Sequence, residues 1–395
     1  MKKQNILNFL KIRGSVGLVG NDIVKGKERF YYLPAEYEPS SGGYNFGTGI
    51  TTLLPGAVEK KIGNEDVTWE KSLKYTVGLD YKLFKSRLTG SIDLFMEDRW
   101  DILTTVNTSP AFIAVDLPVV NLGVVKNRGF EIELGWKDKV NKNFGYRIKG
   151  NFSFARNTII EMDEIPKEYP WQVETGLSVG QNFGYVFDGF VTEEDLASGK
   201  LPDHHTDLKP GDAKYKDLNG DNDITTVDMQ AIGHTRYPEI TGGLTIGFDF
   251  WGFDFSMLWS GAALVSRYIN SDLRIPFGPT QLLPLQRWIY EGRWTEATAA
   301  TAELPRVSTL SVTNNYTTDS SLWLRNAAYL RLKNIQLGYT FDFPALKKAK
   351  IRGLRVYATA ENLWTLDSYK ISDPENTNRS YPLQTIATFG VNLTF

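Results

Sequence analysis

Leu383–Phe395 reads LQTIATFGVNLTF, and this stretch decides how the rest of the chain is read. Leu383, Ala387, Phe389, Val391, Leu393 and Phe395 share one face; Gln384, Thr388, Gly390, Asn392 and Thr394 share the other. Alternation of period two marks a strand with one apolar and one polar side. The pattern runs on to a terminal aromatic ring.

The same alternation recurs toward the N-terminus. Leu10, Ile12, Val16 and Leu18 oppose Lys11, Arg13 and Ser15, and Leu73, Tyr75, Val77 and Leu79 oppose Lys74, Thr76 and Asp80. Phe130, Ile132, Leu134 and Trp136 oppose Glu131, Glu133 and Lys137; Leu244, Ile246, Phe248 and Phe250 oppose Thr245 and Asp249. In all, about ten such segments follow one another. Short connections near 84–86, 138–143, 251–252 and 342–350 alternate with long ones at 20–68, 105–120, 158–237, 264–325 and 366–382. Compact soluble domains seldom hold loops of that length, whereas outer-membrane barrels pair tight periplasmic turns with long outer loops. With Phe395 on the periplasmic side, every long loop falls outside and every short turn inside. The expected fold is all-β: an antiparallel transmembrane β-barrel wall with long extracellular loops.

Composition agrees. Among 395 residues, 13% are aromatic and 35 are glycine, which suits interfacial girdles and bends. Mean hydropathy is slightly negative, as expected when only alternate strand residues meet lipid. No apolar run is long enough for a transmembrane helix. The formal net charge of -2 gives no basic field for nucleic acid. The absence of cysteine excludes disulfide frameworks, thiolate zinc sites and cysteine nucleophiles. Charges in mid-strand (Asp80, Asp93, Glu131, Glu133, Lys149 and Asp249) would be costly in a dry sandwich core and suit a wet interior. Tyr81, Phe84, Trp136, Trp251 and Phe341 lie near the short turns, where an aromatic belt is expected. The start, MKKQNILNFLKIRG, lacks the apolar segment of a signal peptide, so an export signal is expected outside this sequence.

Several stretches give the chain a more specific likeness: TWEKSLKYTVGLDY (68–81), NLGVVKNRGFEIELGW (121–136), KPGDAKYKDLNGDNDITTVD (209–228), AAYLRLKNIQLGYTF (327–341), LRVYATAENLWTLDSYKISDPE (354–375) and YPLQTIATFGVNLTF (381–395). In this order they resemble the C-terminal half of SusC/RagA-type TonB-linked outer-membrane transporters. The resemblance implies a barrel of about 22 strands with an internal plug and an N-terminal segment that contacts TonB. It also implies a SusD-like lipoprotein lid, import of oligosaccharides or peptides, and no enzymatic activity. Residues 1–395 would be the C-terminal part of that barrel, with plug and N-terminal domains absent. Phe389, Val391, Leu393 and Phe395 would then form the insertion signal read by the barrel assembly machinery. Ten strands alone leave two open edges, and unpaired backbone groups in lipid cost several kcal/mol each. The chain alone is therefore not expected to form the complete transporter. A passive porin-like channel is one rival reading, and a secreted all-β carbohydrate-binding protein with a dockerin-like calcium loop is another. An outer-membrane enzyme lacks a convergent catalytic set in the sequence.

The sharpest local motif is DLNGDNDITTVD, 217–228. Calcium takes six to eight hard oxygens, and EF-hand spacing wraps them round one point. Asp217, Asn219 and Asp221 fill positions 1, 3 and 5; Asp223 would give its carbonyl, Thr225 a hydroxyl or a bound water, and Asp228 a carboxylate. Asn222 replaces the usual glycine, and Asp228 is shorter than glutamate. The alternative is an acidic turn built on Asx bonds. His204 and His205 are adjacent and should point apart, in a solvated loop. GSVGLVG (14–20) reads as strand rather than phosphate loop. Trp171, Trp288, Trp294 and Trp323 are candidates for contact with substrate or lid; the competing expectation is that loop aromatics pack the loops together.

Overall fold

The computed structural model of the chain describes residues 6–22, 31–33, 35–39, 43–45, 47, 53–108, 117–277, 284–308, 313–344, 346, 350–375 and 383–395. Ten strands form one sheet. They are β1 Leu7–Asn21, β2 Glu70–Leu83, β3 Leu88–Thr104, β4 Val120–Asn141, β5 Phe144–Glu161, β6 Ile240–Phe250, β7 Phe253–Ala263, β8 Tyr329–Phe341, β9 Gly353–Asp367 and β10 Ile386–Thr394. Each pairs antiparallel with the next in chain order, and β1 and β10 are the two edges. The expected meander is present, with short and long connections alternating between its strands; parts of the expected loops at 20–68, 105–120, 264–325 and 366–382 and of the turn at 342–350 lie outside the described residues. The tightest turn, Trp251-Gly252, has φ of 46° and 89°, the doubly positive geometry of a two-residue hairpin. Trp251 holds this uncommon backbone with its ring stacked 5.6 Å from Phe250.

Register assigns the two faces. Ile12, Leu79, Ile92, Ile132 and Phe152 are successive cross-strand partners. Beside them runs the row Arg13, Gly78, Asp93, Glu131 and Ser153. Across these rows, apolar side chains therefore share one face and charged ones share the other. The apolar face is open: Val77, Leu94, Leu134, Leu337 and Val391 are all exposed. Phe389 on the last strand is 83% exposed. The charged face is laced by ion pairs between strands. Arg13 meets Asp80 and Asp93, Lys149 meets Glu133, Arg147 meets Asp249, and Arg355 meets Asp254. A soluble sandwich would show the reverse, with the apolar face covered and the charges outside. Rings gather on the apolar face near the short turns, including Phe144 with Phe250 and Phe253 with Tyr339.

Two features go beyond the sequence reading. The strands outrun their alternating segments, β4 reaching 22 residues, so their upper parts rise past the apolar band. The long loops also carry structure of their own. Ser266–Tyr268 pairs with Leu324–Asn326, and Phe187–Phe190 with Ala213–Tyr215. The helix Glu193–Ser198 starts in a Thr192/Asp195 capping box and stops at Gly199, whose φ is 64°.

Candidate functional site

Among the described residues, the main buried apolar cluster lies in the loops, not on the sheet. It joins Ala213, Tyr215 and Ile224 from the β5–β6 loop with Val265, Ile269, Ile289 and Trp323 from the β7–β8 loop. Tyr369, just past β9, closes it. These segments form a packed crown at the long-loop end of the wall.

Most polar anchors inside the crown are paired, as buried polar groups usually are, although Nε and Nη1 of Arg274 have no hydrogen-bond partner among the described residues. Asp212 is fully buried and accepts from Asn315 Nδ2 at 2.7 Å and from the Lys209 amide at 2.8 Å. Arg306 Nε lies 2.6 Å from Asp212 Oδ1, the oxygen that also accepts from Asn315, and Arg306 Nη2 donates to Oδ2 at 3.0 Å. Asn315 in turn accepts from the Ala213 amide at 2.9 Å, and its carbonyl accepts from Trp323 Nε1 at 2.7 Å. Arg274 is buried beside the Trp323 ring and pairs with Asp319 at 2.7 Å. Burial raises the Tyr215 and Tyr316 phenols above their usual range. Sequence reasoning missed Asp212, Arg306 and Asn315, because their partners come from segments about a hundred residues apart and no local pattern marks them.

The candidate tryptophans separate. Trp323 is 0% exposed; its place is the centre of the crown, so it has no surface to offer a substrate or lid. Trp288 packs edge-on to it at 6.4 Å. Trp294 lies over Gly211, where a Cβ would stand 2.3 Å from the ring. Trp171 donates to the Val227 carbonyl at 2.8 Å and stacks on Tyr169 at 4.6 Å. Trp171, Trp288 and Trp294 are partly exposed.

The acidic turn forms as the sequence suggests, with Asn222 in the left-handed region at φ 67°. The Asp217 carboxylate accepts from the amides of Gly220 and Asn222 at 2.7 and 2.8 Å. Asn219 and Asp221 bond to each other at 2.7 Å. Asp228 is turned inward, fully buried, and accepts from the amides of Leu218 and Thr225 at 2.8 and 2.9 Å. The Asp223 side chain points elsewhere, to His205 Nε2 at 2.8 Å. The side chains of positions 1, 3 and 5 bond within the turn, and the position-12 carboxylate is occupied in holding it from inside.

The adjacent histidines do point apart, but only His205 is solvated. His204 is buried, which corrects the expectation of a wholly solvated pair. Its Nδ1 faces the Pro202 carbonyl at 2.7 Å and its Nε2 faces the Tyr215 amide at 3.1 Å. Burial holds its imidazole below the ordinary histidine range.

An antiparallel sheet with a lipid face, a charged face and a loop crown defines the wall of an outer-membrane β-barrel. Residues 34–363 match the family described as TonB dependent receptor-like, beta-barrel, and the chain belongs to that family. It is 27% identical to TonB-dependent receptor P39 of Formosa agariphila over all of this chain and 41% of that protein. It is likewise 27% identical to TonB-dependent receptor SusC of Bacteroides thetaiotaomicron, over all of this chain and 38% of SusC. The solved RagAB peptide transporter shares the fold with a TM-score of 0.74 at 22% identity, over 100% of this chain and 42% of its own. The chain therefore spans about two fifths of the length of these relatives. The family is one of outer-membrane receptors, not an enzyme class. That location excludes the secreted soluble reading.

Proposed function

We propose that this chain is the C-terminal barrel wall of a TonB-dependent importer of oligosaccharides or peptides. The importer works under a SusD-like lipoprotein lid and is driven by TonB through an N-terminal segment and plug. The observation that carries this reading is the charged inner face, cross-paired from β1 to β9 beneath a packed crown. A wall so lined suits a wet, plugged lumen. SusC relatedness and the likeness to a peptide transporter favour nutrient cargo of that size. Trp171, Trp288 and Trp294 are the proposed aromatic contacts for cargo or lid. The 217–228 turn is proposed to take a structural Ca2+ through Asp217, Asn219 and Asp221. Phe389, Val391, Leu393 and Phe395, on the outward side of β10, are proposed as the signal for the barrel assembly machinery.

The test is uptake by cells that carry the full-length gene. Labelled oligosaccharide and peptide pools should enter in a way that requires both the gene and an energised TonB. Uptake that persists without TonB would support the passive channel instead and overturn this reading.

A further inference from the structure

On the outward face, the last wholly apolar row is Leu94, Phe130, Phe154 and Ile240. The next row toward the long loops is Met96, Arg128 and Arg156, and Asp98 and Lys126 follow. Arg128 and Arg156 are direct cross-strand partners, a like-charge pairing that costs energy unless an anion offsets it. Arg156 is answered by Glu239, through Nε at 2.8 Å and a second bond at 2.5 Å. Arg128 is exposed and has no ion-pair partner among the described residues. Arg236, three residues before Glu239, is a second exposed cation; it rests on the Tyr237 ring at 5.1 Å.

Just below this row the same face is dented. Gly242 and Gly261 are direct partners, flanked in register by Phe152 and Leu330. With Leu244 and Trp259 they line an almost purely apolar groove of about 460 Å³. Arg156 stands four residues above Phe152 on β5, roughly 13 Å at strand rise. A void on a lipid-facing surface forfeits dispersion contacts unless something apolar fills it. Arg156, paired with Glu239, stands above the groove, and the unpaired Arg128 stands beside it on β4; this free cation selects what the filler carries at its head.

We propose that this groove and the arginine row form a binding site for a phosphorylated lipid of the outer leaflet, with an acyl chain in the glycine dent and a phosphate on Arg128. The proposal rests on the outer-membrane reading with the long loops outside.

The test uses the protein extracted from its own outer membrane, delipidated, and measured by native mass spectrometry with bis-phosphorylated lipid A as probe. The same lipid stripped of phosphate, and phosphatidylglycerol, are the comparisons. The phosphorylated lipid should be retained over both. Arg128→Gln should lower its retention about fivefold, the worth of one basic residue near an anionic surface, and Arg128→Glu/Arg236→Glu should lower it further. Unchanged heat-modified gel mobility would establish that the variants are folded, with Arg128→Gln the milder one. Equal retention of phosphorylated and stripped lipid, equal retention of phosphatidylglycerol, or indifference to the Arg128 variants would each overturn the site. Failure to recover the protein from the outer membrane would instead sink the location on which it rests.

Discussion

Arg13 on β1 reaches over β2 to Asp93 on β3, with its guanidinium 2.6 Å from Asp93 Oδ2. Gly78 is the register partner of both residues. A Cβ on Gly78 would stand 2.4 Å from Asp93 Oδ1 and 2.7 Å from Arg13 Cζ. The bridge therefore lies across a gap that only glycine leaves. Gly338 does the same under Arg355 and Asp254, where a Cβ would meet Arg355 Nη2 at 2.5 Å. Gly78→Ala should displace the bridge and cost about 1 kcal/mol, the scale of a cross-strand pair. Arg13→Gln should cost a similar amount. Because both changes break one contact, the double variant should cost little more than either alone. Urea unfolding of the full-length protein in vesicles measures the cycle, and strict additivity would contradict the geometry.

The two faces of β4 should answer charge differently. Leu134 is exposed on the apolar side, between Ile132 and Trp136. Leu134→Arg should cost about 2–4 kcal/mol, as arginine does on a lipid-facing site near mid-bilayer. Glu133→Arg points into the wet interior, where it loses only a half-exposed partner, Lys149 at 2.8 Å, so its cost should stay near or below 1 kcal/mol. Unfolding in the same vesicles compares the two, and similar costs would argue that both sides are wet.

Asp212 is one of the crown's buried charges. Removing one member of a buried hydrogen-bonded pair costs about 3–5 kcal/mol, because the other charge is left without its partner. Asp212→Ala strands Arg306 and frees the Asn315 amide. Since the crown is a cluster separate from the sheet, the loss should be local. Hydrogen exchange should rise across 211–216 and around Trp323, while the amides of β2–β5 keep their protection. A uniform loss through the wall would mean that crown and sheet open as one unit.

What the sequence disclosed follows what imposes order at each height of the wall. In the band between Trp136 and Phe130, lipid on one side and water on the other force alternation, so strands, faces and turn-loop parity were legible. Above Arg128 both sides are wet or packed on loops, and the apolar/polar alternation fades there although β4 continues to Val120, where the long connection is expected. Bulges were equally hidden: register shifts between Leu332 and Asn334, where β8 meets β9, and a one-residue slip leaves no compositional mark. Crown packing is set by contacts far apart in the chain, such as Asn315 against Asp212, which no local period encodes. Trp323 illustrates the cost of reading loop aromatics by type alone.

The acidic turn separates two roles within one motif. Asp221 is exposed, and its carboxylate bonds only within the turn, to the Asn219 side chain and the Asp223 amide. Asp228 holds two amides from a buried position. Asp221→Ala should leave the crown folded but remove any gain in protease resistance that Ca2+ confers. Asp228→Ala should weaken the crown with or without Ca2+, by roughly 1–3 kcal/mol for amides left unpaired. Limited proteolysis in calcium and in chelator reads both. If calcium has no effect on the parent protein, the turn stands on its Asx bonds alone.

His204 makes the crown sensitive to mild acid. In the unfolded chain the ring takes up a proton near pH 6.5. In the crown, burial holds the imidazole below that value, with nearby Asp203 opposing the shift and His205 adding to it. As the pH falls past the unfolded value, the unfolded state binds more protons than the folded one, so crown stability declines. The decline ends once the pH drops below the folded value, where both states are protonated. Protonation would also take away the lone pair on Nε2 that faces the Tyr215 amide. Asp195 adds no slope in this window: Lys214, 2.7 Å away, holds its carboxyl below the usual range, so its contribution fades only in stronger acid. Protease resistance of the crown should therefore fall between about pH 7 and about pH 5. His204→Gln should start lower, having lost the fitted ring, and show little slope across that interval. A parent protein whose crown resists equally at both ends would mean that the His204 ring is not the neutral acceptor its surroundings require.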